Sequence, residues 1–182
     1  MANSDNSCDV ETLSRYLAPE ETPIDYHIEI LRYWNAVRGD RFAPRRDEFS
    51  MEKLPAPAIP LINVTDLVPE PLKSTYRFWG TGLTEVFGGD FTGQGPQDVP
   101  PKTGGINQQG GCARLIRDRV ANFEIKDFET AKDLFGRALI LRIMFSNDGE
   151  TINQGLNSYY FESLTIGSNL TDFYETVFSK VG

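Results

Sequence analysis

The segment Arg137-Ala-Leu-Ile-Leu-Arg142-Ile-Met-Phe145 sets a guanidinium in the middle of an apolar run. Arginine is rarely buried without a partner, so Arg142 either reaches solvent on an outer strand face or meets an acidic ligand group. Arg77, inside Tyr76-Arg-Phe-Trp-Gly80, is a second polar anchor of the same kind. The densest charge is Arg38-Gly-Asp-Arg41-Phe-Ala-Pro-Arg45-Arg46, four arginines in nine residues. It suits a phosphate or an acidic partner, or a solvated loop in which Asp40, Asp47 and Glu48 balance the arginines; the solvated loop is the default for charged side chains. Cys112 falls at helical spacing with Leu115 and Ile116 and reads as a small buried residue rather than a nucleophile. The single histidine, His27, leaves little from which to build a zinc site or a Ser-His-Asp triad. It sits beside an apolar helix stripe as a boundary residue, the alternative being a haem or metal ligand. Glu85, Asp90 and Tyr160 are conceivable acid–base groups, but no spacing singles them out.

Composition narrows the classes. The 182 residues carry a net charge of −8, which disfavours general binding to nucleic acid or anionic lipid. A chain of this length buries enough surface to fold without a metal or disulfide. Two cysteines make no disulfide scaffold. The polar, acidic N-terminus lacks the apolar core of a signal peptide, and no run approaches the ~18 apolar residues of a membrane span. The expectation is a cytoplasmic protein. The sequons at Asn63 and Asn169 and the Arg-Gly-Asp at 38–40 are then coincidences. The glycine pairs at 104–105 and 110–111 lack the Lys-Ser/Thr of a phosphate-binding loop.

The elements that must position these groups follow from periodicity. Val10, Leu13 and Leu17 predict a short helix. Ile24, Ile28, Leu31 and Trp34 predict an amphipathic helix over 24–38, ended by Gly39. Strands are predicted over 59–66 and 75–81, with Tyr76 and Phe78 on one face and Arg77 and Trp79 on the other. A short helix over 83–87 and a glycine- and proline-rich loop over 94–111 come next, then a helix over 111–121. Three further strands are predicted over 123–128, 137–145 and 152–162, the last two joined by a hairpin at Asp148-Gly149. A closing helix carries Leu170, Phe173, Tyr174, Val177 and Phe178 at helical spacing.

Four pieces of this chain resemble a bacterial family of stand-alone PAS-domain proteins. They are Tyr33-Trp34-Asn-Ala-Val-Arg-Gly with Pro44-Arg45-Arg-Asp47, the strand over 59–66, the hairpin around Asp148-Gly149, and Tyr76-Arg-Phe-Trp-Gly80-Thr-Gly-Leu-Thr-Glu-Val-Phe-Gly88-Gly-Asp90-Phe-Thr92-Gly93, the most specific of the four. The resemblance implies an α+β fold: a PAS-like five-stranded antiparallel sheet with short helices on one face, and flanking N- and C-terminal helices. Residues 1–23 would be a partly disordered extension, 24–163 the domain with its lead-in helix, and 164–182 the terminal helix. It further implies a sensory or signalling module that binds a small ligand or a protein partner and has no output domain of its own. The candidate ligand-binding residues are Arg77, Trp79, Phe87, Phe91, Ile116, Leu141 and Arg142. The ligand is unknown. A cysteinyl–flavin adduct is disfavoured because Phe91 stands where the reactive cysteine would be. Haem is disfavoured because the helix over 111–121 has no histidine. The alternatives are a ligand-free dimerisation or adaptor module working through helices 24–38 and 170–180, and a small cone-shaped hydrolase or isomerase.

Overall fold

The computed structural model describes residues 14–99, 105–129 and 134–166. They form an α+β fold around one antiparallel sheet of six strands: β1 (Ser14–Leu17), β2 (Ile62–Val68), β3 (Lys73–Trp79), β4 (Asn122–Glu129), β5 (Leu134–Phe145) and β6 (Gln154–Ile166). Their order across the sheet is β1-β4-β5-β6-β2-β3. The sixth strand is β1. The expected helix through Leu17 is replaced by extended chain, with Tyr16 opposite Glu124 and Leu17 opposite Phe123. A segment this short gains little from its own helical hydrogen bonds, while β4 offers an edge to pair with. Val10 and Leu13 lie outside the described residues, as does the predicted helix over 170–180.

One sheet face is covered by α1 (Asp25–Arg38), whose buried residues His27, Ile30, Leu31 and Trp34 recur at helical spacing. Gly39 ends α1 at φ 56°, and its N–H bonds the Asn35 carbonyl at 3.1 Å. Two side chains pin α1 down: Tyr26 Oη donates to the Tyr159 carbonyl at 2.6 Å and Trp34 Nε1 to the Met144 carbonyl at 2.9 Å. Leu141, Ile143, Phe145 and Leu156 form the core on this side.

The other face is covered by α2 (Thr81–Phe87) and α3 (Gly105–Asp118). Gly80 starts α2 where a Cβ would run into the Pro60 carbonyl oxygen, so only glycine fits. The predicted loop over 94–111 is shorter than expected, because α3 begins at Gly105 and takes in both Gly110 and Gly111. The alternation expected in β3 is broken by a bulge opposite Val64/Thr65. Tyr76 and Trp79 are buried on the helix side, while Arg77 and Phe78 are exposed. The extra residue shifts the phase of the strand by one, which no alternation count foresees.

Candidate functional site

Register brings the site together. Asn122, Arg142, Asn157, Asn63 and Trp79 are successive cross-strand partners, forming one row through β4, β5, β6, β2 and β3 beneath α2 and α3. The Arg142 guanidinium is 1% exposed and forms an ion pair with the fully buried carboxylate of Glu124, on β4. Lys126, one step further along β4, is buried on the same face. Arg142 thus neither reaches solvent nor stands alone: its counter-charge is internal. Gly111 of α3 crosses directly above it, and a Cβ there would collide with the guanidinium.

The electrostatics follow from burial and neighbours. Burial opposes the Glu124 carboxylate, but the charges of Arg142 and Lys126 outweigh it and hold the carboxyl below its usual range. Burial lowers the Lys126 ammonium to about 8, with Glu124 opposing and Arg142 adding to the shift. Burial raises the Tyr16 phenol to about 12, and the nearby Glu124 charge adds to this. The Arg114 guanidinium lies 4.5 Å from the Tyr16 ring centre, so β1 and α3 close over Glu124 together. Burial pushes the Cys112 thiol up to about 11, which keeps it protonated near neutral pH and argues against a nucleophilic role.

Beside the charges runs an amide ladder. Asn157 Nδ2 donates to Asn63 Oδ1 at 2.6 Å, and Asn63 Nδ2 donates to Tyr159 Oη at 3.2 Å. Beyond it lies an aromatic wall. The Trp79 ring centre is 4.8 Å from Tyr76, 5.6 Å from Phe87 and 5.2 Å from Phe91, each edge to face. Phe87 is the last residue of α2, and Gly88 at φ 85° turns the chain so that Phe91 can follow it in. Several buried polar atoms have no hydrogen-bond partner among the described residues: Trp79 Nε1, both amide atoms of Asn122, and Asn157 Oδ1.

Of the residues singled out from sequence, Trp79, Phe87, Phe91 and Arg142 share this helix-side layer. Ile116, on α3, is half-buried against the core that continues to the α1 side. Leu141 is fully buried but faces α1, because it alternates with Arg142 along β5. Arg77 lies outside the layer; the bulge turns it outward, where it binds Asp66 at 2.6 Å. Glu124, Lys126, Asn63, Asn122, Asn157 and Tyr159 were not anticipated. Only the pairing register reveals their row.

The remaining candidates do not converge. His27 is fully buried under α1, on the opposite face, with Nδ1 3.0 Å from Thr22 Oγ1. Burial lowers it to about 3. Asp90 bonds Thr92 Oγ1 at 2.7 Å in a tight turn after α2, while Tyr160 packs near Tyr26 on the α1 side. In the arginine-rich loop, Arg41 pairs with Glu48 at 2.9 Å and Arg45 with Asp47 at 3.0 Å, as a solvated loop would. Among the described residues no cluster of His, Cys, Asp and Glu is placed to hold a metal ion, and no helix is long and apolar enough to cross a membrane. No family model and no curated protein matches the chain.

Proposed function

We propose that this chain is a PAS-type sensory or signalling module, binding a small ligand between the sheet and helices α2 and α3. Two things support the reading. The sheet is antiparallel and carries short helices between β3 and β4 on one face, in keeping with the α+β sheet the sequence resemblance implies, though it has six strands rather than five. The observation that carries it is the polar row under the helices. A layer with only a structural task is at least as stable when filled with hydrocarbon, because a buried ion pair seldom repays its desolvation. Here Arg142, Glu124 and Lys126 occupy that layer beside an indole N–H and amide atoms that have no hydrogen-bond partner among the described residues. Unsatisfied buried polar atoms are rare enough in folded proteins to need an explanation, and a polar ligand supplies one. The protein would report occupancy to a partner in the cytoplasm through the elements that close over the row, β1 and α3.

Native mass spectrometry of freshly purified protein, against the same sample denatured, tests the proposal. A mass excess that disappears on denaturation, and that Trp79→Ala or Asn122→Leu abolishes, is expected. The same excess surviving in both variants, or its absence at every stage of purification, overturns the proposal. A purely interacting module working through α1 has less to offer. That helix spends its apolar stripe on the sheet and leaves Ile28 as its one large exposed apolar residue.

A further inference from the structure

A concavity lies on the opposite side of the sheet, away from the polar row. Its volume is about 560 Å³, within the roughly 300–1,000 Å³ of small-molecule sites. The floor and walls are Met51, Leu54, Ala56, Ile59, Val64 and Phe78. Leu54 and Val64 are buried, while Phe78 stands 37% exposed, placed there by the bulge in β3. A large aromatic left at a groove wall is a different thing from scattered surface apolar residues, because its neighbours here are apolar too.

The rim is charged. Arg46 and Arg77 both line the groove, with Glu52 the only acid among its described lining residues. Arg77 is neutralised by Asp66, whose Oδ1 also accepts from Gln154 Nε2 at 2.6 Å. Arg46 has no carboxylate partner among the described residues. Its Nη1 donates to the Phe49 carbonyl at 2.5 Å, and its guanidinium lies 5.5 Å from the Phe145 ring centre, so the side chain is held in place. Burial and the positive charge of Arg77 both weaken its protonated form, a setting that an added anion would relieve.

We infer that this groove binds a small amphipathic carboxylate, its apolar body lying on Leu54, Ile59, Val64 and Phe78 and its carboxylate on Arg46. A guanidinium already fixed by packing loses little freedom on donating two parallel N–H···O bonds to a carboxylate. The site is independent of the ligand proposed beneath α2 and α3.

The test uses decanoate and its uncharged counterpart decanol, titrated into the full chain by calorimetry, with amide shifts read by NMR. Saturable decanoate binding that moves the amides of residues 51–59, 64 and 78 is expected, with decanol at least about tenfold weaker. Arg46→Gln should weaken decanoate about tenfold and leave decanol unchanged. Ala56→Trp, at an exposed position on the wall, should block both without lowering the melting temperature. Equal binding of decanoate and decanol, or full decanoate binding by Ala56→Trp, overturns the inference. So does sedimentation showing that copies pair and that Ala56→Trp separates them, since the groove would then be a contact between copies.

Discussion

Removing the Glu124 carboxylate is the sharpest perturbation available. Glu124→Gln keeps the shape of the side chain but leaves the Arg142 guanidinium, 1% exposed, without its counter-charge. Breaking a buried pair from one side costs about 3–5 kcal/mol, because the surviving charge keeps its desolvation penalty. Lys126 cannot compensate. It carries the same sign as Arg142, and loss of Glu124 removes a charge that holds its ammonium up, so its pKa is lowered further. With a urea slope of about 2 kcal/mol/M, the unfolding midpoint should drop by about 1.5–2.5 M. Glu124→Leu combined with Arg142→Met removes both charges, and should lie within about 1 kcal/mol of the wild type or above it. Urea denaturation followed by tryptophan fluorescence reads both, since Trp79 and Trp34 are buried on opposite faces. A Glu124→Gln cost under about 1 kcal/mol would refute the reasoning, as would a double variant no more stable than the single one.

Two further predictions concern single side chains. His27 titrates near 6.5 when unfolded and about 3 when folded, so between those values only the unfolded chain takes up its proton. Its contribution to stability is therefore lost as pH falls through that window, by up to about 1.4 kcal/mol per pH unit. The difference in unfolding free energy between wild type and His27→Asn, measured at pH 7, 6 and 5, should shrink accordingly; a constant difference refutes the assignment. On α3, Gly110→Ala should stabilise by up to about 1 kcal/mol, because nothing lies within 4 Å of its added Cβ. Gly111→Ala should destabilise despite the same gain in helix propensity, since its Cβ meets the Arg142 guanidinium. Melting temperatures that move the same way in both variants would count against the close approach of α3 to Arg142.

The elements were legible where one interaction dominates. The stripe of α1, its glycine stop and the Asp148-Gly149 turn, with Gly149 at φ 76°, follow from local sequence. The candidate site was only half legible. Trp79, Phe87 and Phe91 are candidate ligand-binding residues close together in sequence, and their meeting needs no long-range information beyond that. Glu124 and Lys126 could not be found in this way. Alternation says only that they share a face opposite Phe123 and Ile125, and charge assigns that face to water. It faces inward because the register sets Asn122 against Arg142 and Glu124 against Ile140. The glycines of α3 misled in another way: Gly105 and Gly110 read as loop, with the helix starting at Gly111, whereas α3 begins at Gly105.

The two margins of the sheet end by different means. On one side β1 lies along β4. On the other, the turn after α2 lends its backbone to β3, with Tyr76 N–H bonding the Gln94 carbonyl at 2.8 Å and Gly93 N–H bonding the Tyr76 carbonyl at 2.7 Å. That turn behaves as a two-residue stub of a seventh strand that goes no further. An incoming chain that sought to extend the ladder at β3 would find its central donor and acceptor already engaged. At β3 the sheet is therefore a terminated template, and the outward-turned Phe78 can sit beside that strand margin without inviting fibre-like growth.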